Sequence, residues 1–205
     1  MGFSIAKEGF FILFVTIAIS SLFLALGLKI LGTFFFILFL CELCFFRDPD
    51  RIVPDALGDA ILSPADGKII KIGGNEISIF MSLFDVHVNR APVAGEIEKI
   101  IYREGRFRAA FLDDAQKENE SNTIIVKTDR GNVTFTQIAG MIARRIVCNV
   151  KKGHRVNAGQ RIGMIKFGSR VDLEMPNGVT MMVNRGEKVQ SGRSIIAITK
   201  RLENV

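Results

Sequence analysis

Ser63-Pro64-Ala65-Asp66-Gly67-Lys68-Ile69-Ile70-Lys71-Ile72 is echoed 28 residues further on by Ala91-Pro92-Val93-Ala94-Gly95-Glu96-Ile97-Glu98-Lys99-Ile100. The proline, the glycine, the lysine and two isoleucines recur in register. A second echo, at an offset of 33, joins Gly153-His154-Arg155-Val156-Asn157-Ala158-Gly159-Gln160-Arg161-Ile162 to Gly186-Glu187-Lys188-Val189-Gln190-Ser191-Gly192-Arg193-Ser194-Ile195. Its shared pattern is G-x-x-V-x-x-G-x-x-I. Glycines so placed suit tight corners between short strands, and the aliphatic positions suit a shared interior. Around the echoes lie short β-rich runs, Ile77–Phe80, Thr123–Thr128, Asn132–Ile138 and Ile195–Thr199, separated by Gly, Pro, Asn and Asp. The polar segment Asp113 to Asn122 reads as a loop. The expectation is a mostly β fold: a compact barrel-sandwich of short strands with internal repeats.

The N-terminus is of another kind. Phe10 to Leu28 is apolar or small throughout, and after Lys29 a second apolar run extends from Ile30 to Phe46, broken by Glu42. A bilayer core takes roughly 20 helical residues, so each run is just long enough. Gly27 and Gly32 flank the polar break and permit a tight turn. Residues 1–46 are therefore expected as a membrane helical hairpin, which puts both its ends on one side. Residues 47–56 form a proline-marked linker, and residues 57–205 form the β domain. Arg47 and Arg51 after the hairpin favour the cytoplasmic side. A secretory signal peptide would show a short apolar core and a small-residue cleavage site, and neither is evident.

The chain carries a net charge of +6, all of it in residues 47–205, because Lys7 and Lys29 balance Glu8 and Glu42. A basic domain on a membrane tether suits anionic head groups. With one tyrosine, no tryptophan and no dense Lys/Arg run, nucleic acid is not an expected partner. Cys41 and Cys44 form a C-x-x-C, but it lies in an apolar run with no second pair. Neither a metal site nor a disulfide framework is expected from Cys41, Cys44 and Cys148.

Three segments carry candidate chemistry. The echo partner of Asp66 is Ala94, so the backbone role of that turn is filled without a carboxylate. His87 lies in Met81-Ser82-Leu83-Phe84-Asp85-Val86-His87-Val88-Asn89-Arg90-Ala91-Pro92. There the alternation sets Val86 and Val88 on one side and Asp85, His87 and Asn89 on the other. Imidazole titrates near neutral pH and suits acid/base work. The other histidine, His154, occupies a turn position whose echo partner is Glu187, which marks a surface residue. The third segment is Phe167-Gly168-Ser169-Arg170-Val171-Asp172, a Gly-Ser pair between apolar runs.

Together, Ser63–Gly67, Met81–Pro92 and Gly168-Ser169 resemble the functional segments of the phosphatidylserine decarboxylase proenzymes in their short bacterial and archaeal form. The resemblance covers nearly the whole chain, anchor included. It implies a lyase that converts phosphatidylserine to phosphatidylethanolamine at the cell membrane, with its catalytic domain on the cytoplasmic side. It implies self-cleavage between Gly168 and Ser169 into a β chain, 1–168, and an α chain, 169–205, which stay together as a heterodimer. Ser169 would become a pyruvoyl group that takes the substrate amine as a Schiff base. No side chain can accept the electrons left by departing carbon dioxide, so a carbonyl made from the chain fits the task. Asp66, with or without His87, is the candidate base for cleavage, and His87 the candidate proton donor in decarboxylation. Arg90, Arg170 and Lys166 are candidates for holding phosphate or carboxylate. One departure is that Arg90 stands where longer relatives carry a second histidine. The echoes also resemble lipoyl- and biotinyl-carrier barrels, so a membrane-tethered carrier or adaptor is the alternative. The best hairpin tip for a swinging arm, Met175-Pro176-Asn177-Gly178, lacks the lysine it would need.

Overall fold

A computed structural model describes residues 2–54, 58–105, 118–140, 145–166 and 169–199. The chain divides into two compact units, one ending at Asp50 and one beginning at Arg51.

In the first unit, α1 (Phe10–Ala25) and α2 (Lys29–Phe45) are joined by a three-residue turn in which Gly27 takes φ +77°. The helices pack antiparallel. Ser20 Oγ donates to the Gly32 carbonyl at 2.9 Å, Thr16 Oγ1 to Glu42 Oε1 at 3.2 Å, and the Phe23 and Phe35 rings lie 5.5 Å apart. Gly32 is small because Leu24 occupies the space where its side chain would be, the close approach that small residues permit between apolar helices. The outward surface of both helices is apolar, with Phe11, Phe14, Leu26, Ile30, Phe34 and Ile37 exposed. A helix apolar all round belongs in a bilayer or deep inside a large protein. With its leading turn, the first helix (Lys7–Ala25) is long and apolar enough to cross a membrane. At 17 residues α2 is about 25 Å long, short of a hydrocarbon core about 30 Å thick. Cys41 and Cys44 are exposed on its surface.

Residues 47–49 were expected to open a linker. They form instead β2 (Arg47–Pro49), paired antiparallel with β1 (Phe3–Ile5), so that the two ends of the hairpin are stapled together.

The second unit is the β domain. Its strands are β3 (Ala60–Leu62), β4 (Gly67–Gly73), β5 (Glu76–Met81), β6 (Val88–Arg90), β7 (Gly95–Arg103), β8 (Ser121–Thr128), β9 (Gly131–Ile138) and β10 (Ile146–Cys148), followed by β11 (Arg155–Val156), β12 (Arg161–Ile165), β13 (Ser169–Glu174), β14 (Val179–Met181), β15 (Lys188–Val189) and β16 (Ile195–Thr199). They form one eight-stranded sheet, β11-β7-β8-β9-β13-β5-β4-β15, and two three-stranded sheets, β10-β12-β6 and β14-β16-β3. The large sheet curls into a half-barrel. Ile61, Ile162, Ile165 and Ile196 from the small sheets join Ile69, Ile79, Ile97, Ile124, Phe135 and Leu173 from the large one in a single core.

The sheet order reads the same from both ends once each strand is exchanged for its echo. The two echoes are thus the visible part of a pseudo-two-fold repeat. Its hydrogen bonds are reciprocal. Leu62 N–H donates to the Pro92 carbonyl and Arg90 N–H to that of Pro64, both at 2.9 Å; Gly192 N–H donates to Ser63 and Gly159 N–H to Ala91, both at 2.8 Å. Gly67 and Gly95 play one role in the two halves. A side chain at either would strike a carbonyl on the neighbouring strand, that of Phe80 or Lys127. The pseudo-axis passes where Phe135 of β9 pairs with Leu173 of β13. The halves are nested: β6 to β12 form one, inserted between β5 and β13 of the other.

Of the segment Asp113 to Asn122, read as a loop, residues 113–117 lie outside the described residues. Ser121 and Asn122 are buried and begin β8, where Ser121 pairs with Arg103.

Candidate active site

Asp66, Met81 and Ser169 come together because β4, β5 and β13 are neighbours in one sheet and all three residues sit at the same end of it. Asp66 immediately precedes β4. Met81 ends β5 and pairs with Ser169, the first residue of β13. The Ser169 hydroxyl is fully buried and donates to Met81 Sδ at 3.4 Å. Gly168 lies outside the described residues.

His87 reaches this region through the backbone. Its carbonyl accepts the Ile165 N–H at 3.3 Å, at the end of β12 and four residues before Ser169. The ring is fully buried, and Nδ1 lies 2.9 Å from the Asp85 carbonyl. A carbonyl only accepts, so Nδ1 carries the proton and Nε2 the lone pair of the neutral ring. Burial does not distinguish the two sides of this segment. Val86, His87, Val88, Asn89 and Arg90 are all buried, and the Asp85 carboxylate turns back to accept the N–H and hydroxyl of Ser82, each at 2.7 Å.

The Asp66 carboxylate accepts from the Arg51 guanidinium at 2.7 Å and from the Ser191 N–H at 2.7 Å. Burial pushes its proton affinity above the ordinary aspartate range. Arg51 and the Ser191 N–H pull it back only in part, and the charge of Asp85 adds to the rise. Such a group favours the folded chain below the unfolded value, about 3.9, and that contribution is lost as pH rises through the elevated folded value. In the sequence Arg51 reads as a topology-setting charge. In the structure it is a half-buried partner of the acid.

A chain of buried amides runs behind Ser169. Asn122 donates to Gln137 at 2.9 Å, Gln137 donates to Asn89 at 2.8 Å, and Asn89 Nδ2 lies 3.9 Å from the same Met81 sulfur that takes the Ser169 hydroxyl. Of these, Asn89 lies on the patterned face around His87. Gln137 and Asn122 leave no signal beyond polar residues inside apolar runs.

The remaining candidates are differently placed. Arg170 follows Ser169 on a strand and so faces the other way; it donates to Asp172 at 2.6 Å and to Ser78 at 3.0 Å. Arg90 is buried and donates to the Gly159 carbonyl at 3.1 Å. Lys166 is half-buried at the end of β12. His154 is exposed in its turn, as expected.

The pseudo-axis supplies an internal control. It exchanges Asp66 for Ala94, His87 for Asp59, Met81 for Thr128, Ser169 for Gly131 and Ser191 for Ala158. At the mate position the chain makes a hairpin turn at Asp129-Arg130, Asp59 pairs with Arg130, and a cavity of about 640 Å³ opens. The mate corner thus has alanine, aspartate and glycine where this one has Asp66, His87 and Ser169, so the imidazole and the serine are found at one of the two corners only.

The sequence profile of phosphatidylserine decarboxylase matches residues 38–197. The chain belongs to the phosphatidylserine decarboxylase family. It is 45% identical over 177 residues to a phosphatidylserine decarboxylase proenzyme of Desulfotalea psychrophila, covering 80% of this chain and 82% of that protein. It is 41% identical over 204 residues to one of Burkholderia mallei, covering 94% of each. It is also 49% identical over 156 residues to a Methanosarcina mazei protein named for archaetidylserine decarboxylase, covering 76% of this chain and 74% of that one. Family membership makes the chain a carboxy-lyase and sets aside the carrier alternative.

Proposed function

We propose that the chain is a precursor that cuts itself between Gly168 and Ser169, and that the product removes carbon dioxide from phosphatidylserine to leave phosphatidylethanolamine. The observation that carries this reading is the asymmetry of the repeat, in which Asp66, His87 and Ser169 meet at one corner while Ala94, Asp59 and Gly131 take their places at the other.

In self-cleavage the Ser169 oxygen adds to the Gly168 carbonyl carbon and the Gly168–Ser169 C–N bond breaks, giving an ester and a free amine. Loss of the Ser169 α-proton then breaks the Cβ–Oγ bond and releases the Gly168 carboxylate. Water replaces the nitrogen on the remaining dehydroalanine, ammonia leaves, and a pyruvoyl group is left at the head of the second chain. Asp66, with its raised proton affinity, is the base for these steps, alone or with His87. The site suits the product. It is buried, and Asn89 Nδ2 is spent on a thioether, a weak acceptor, leaving a donor for a carbonyl oxygen.

The pyruvoyl group supplies an electron sink when the substrate amine is joined to it. The protein's part is to shield the site from water and, through His87 Nε2, whose lone pair first takes up the proton that the substrate ammonium sheds on joining the carbonyl, to deliver a proton to the substrate α-carbon once carbon dioxide has left. The apolar hairpin fits a two-tailed substrate, and we place the enzyme at the cell membrane with residues 51–205 on the cytoplasmic side.

Two measurements test this reading. Under denaturing conditions the purified protein is expected to give two masses, 1–168 and 169–205, the smaller with no free α-amine. A fully active preparation of one intact chain would end the proposal. Processing is also expected to show an acid limb above the ordinary aspartate value of about 3.9, because Asp66 must be ionised to take a proton. Arg51→Leu removes the charge that lowers its proton affinity and is expected to move that limb to higher pH. An unmoved limb would take Asp66 out of the base role.

A further inference from the structure

The residues leading into His87 form a locked turn with an apolar tip. Asp85 N–H donates to the Ser82 carbonyl at 3.0 Å while the Asp85 carboxylate holds the Ser82 N–H and hydroxyl. An aspartate closing on its own backbone in this way fixes the turn. Between them Leu83 is 45% exposed and Phe84 82% exposed. The turn leaves the end of β5. Beside that end a row of outward residues crosses the sheet edge, Phe80 paired with Lys68 and Lys68 with Lys188. Residues directly opposite share a face, and both lysines are exposed. Among the described residues neither is in an ion pair.

From this juxtaposition we infer that the turn seats the β domain on an anionic bilayer, with Leu83 and Phe84 entering the boundary of head groups and acyl chains and Lys68 and Lys188 lying on the head groups. Apolar insertion beside cationic residues is the chemistry of an interfacial anchor. The same turn supplies the Asp85 carbonyl that fixes the His87 ring, so the residue that enters the lipid and the residue that delivers the proton are three positions apart. The inference rests on the reading of the chain as an enzyme of a membrane lipid. It gives the β domain a contact of its own with the bilayer, additional to the hairpin.

The chain has no tryptophan, so Phe84→Trp installs a single reporter in the full-length protein. Asn177→Trp is the control, because Asn177 is exposed in the turn after β13, at the opposite end of the β5–β13 pair. Each variant is reconstituted in vesicles of phosphatidylcholine and phosphatidylglycerol with brominated acyl chains, which are not substrates. The indole at position 84 is expected to emit further to the blue and to be quenched, and the indole at position 177 to do neither. Adding Lys68→Gln and Lys188→Gln to Phe84→Trp is expected to weaken the quenching. In Leu83→Ser/Phe84→Ser, the preference for vesicle-borne over soluble short-chain phosphatidylserine is expected to fall by about tenfold, equivalent to about 1.4 kcal/mol. Quenching in Phe84→Trp no greater than in Asn177→Trp, or an unchanged substrate preference, overturns the inference. Quenching of Phe84→Trp in a chain that releases no carbon dioxide would uphold the seating and discard the enzymatic reading instead.

Discussion

Ser169→Ala is expected to leave one uncut chain of 22.7 kDa with no decarboxylase activity. The substitution deletes both the nucleophile for cleavage and the oxygen whose departure creates the pyruvoyl precursor, so no slower route to the same group remains. The fold is expected to survive. The hydroxyl donates to a thioether at 3.4 Å, and losing a typical neutral hydrogen bond costs only about 1 kcal/mol. The backbone of β13 stays paired on both sides. Intact mass and carbon dioxide release, measured on the same sample, decide the matter. An alanine variant that still yields two fragments would move the cut elsewhere.

His87→Ala and Asp66→Ala are expected to fail at different steps. Asp66→Ala is expected to accumulate uncut chain. His87→Ala is expected to yield at least some cut protein, because a proton at the substrate α-carbon is needed only after processing. That cut protein is expected to turn over about 100-fold more slowly or worse. His87 is fully buried, so truncation also leaves a cavity, and His87→Gln serves as the second variant that keeps polarity and bulk. The cleaved fraction and the single-turnover rate of cleaved protein separate the two steps. With Arg90 in place of a second histidine, His87 can also serve both steps. A His87 variant that matures and decarboxylates normally would remove it from the mechanism.

The repeat is legible in the sequence because its turns need glycine, and Gly67 and Gly95 are held to that identity by a neighbouring carbonyl. The nesting is not. It depends on β5 matching β8 and on β9 matching β13, where Phe135 and Leu173 share only bulk and apolarity. Ile195–Thr199 reads true to the residue, its β-branched run bounded by polar turns. β13 escapes notice as a strand because Ser169 and Asp172 interrupt its apolar run with polar groups. In the site, Asp66 stands out against Ala94. Arg51 does not, because it lies 15 residues away in a stretch that reads as linker. Asn122 and Gln137 are hidden for a physical reason: they lie in phase with Ile124 and Val126 and with Val133 and Phe135, on the buried face that alternation assigns to apolar residues. Alternation misplaces Asp85 because that residue precedes β6 and its side chain serves its own turn.

The nesting also sets a schedule for the newborn chain. The inserted half, β6 to β12, is made as one uninterrupted run and has its own partners as soon as it leaves the ribosome. The half that holds Ser169 must wait. β3, β4 and β5 emerge early, but their partners β16, β15 and β13 are translated only after the whole inserted half. Asp66 receives its Ser191 N–H in that same late instalment. The corner around Ser169 is therefore assembled last, and a chain halted during translation holds the serine without the surroundings that make it react.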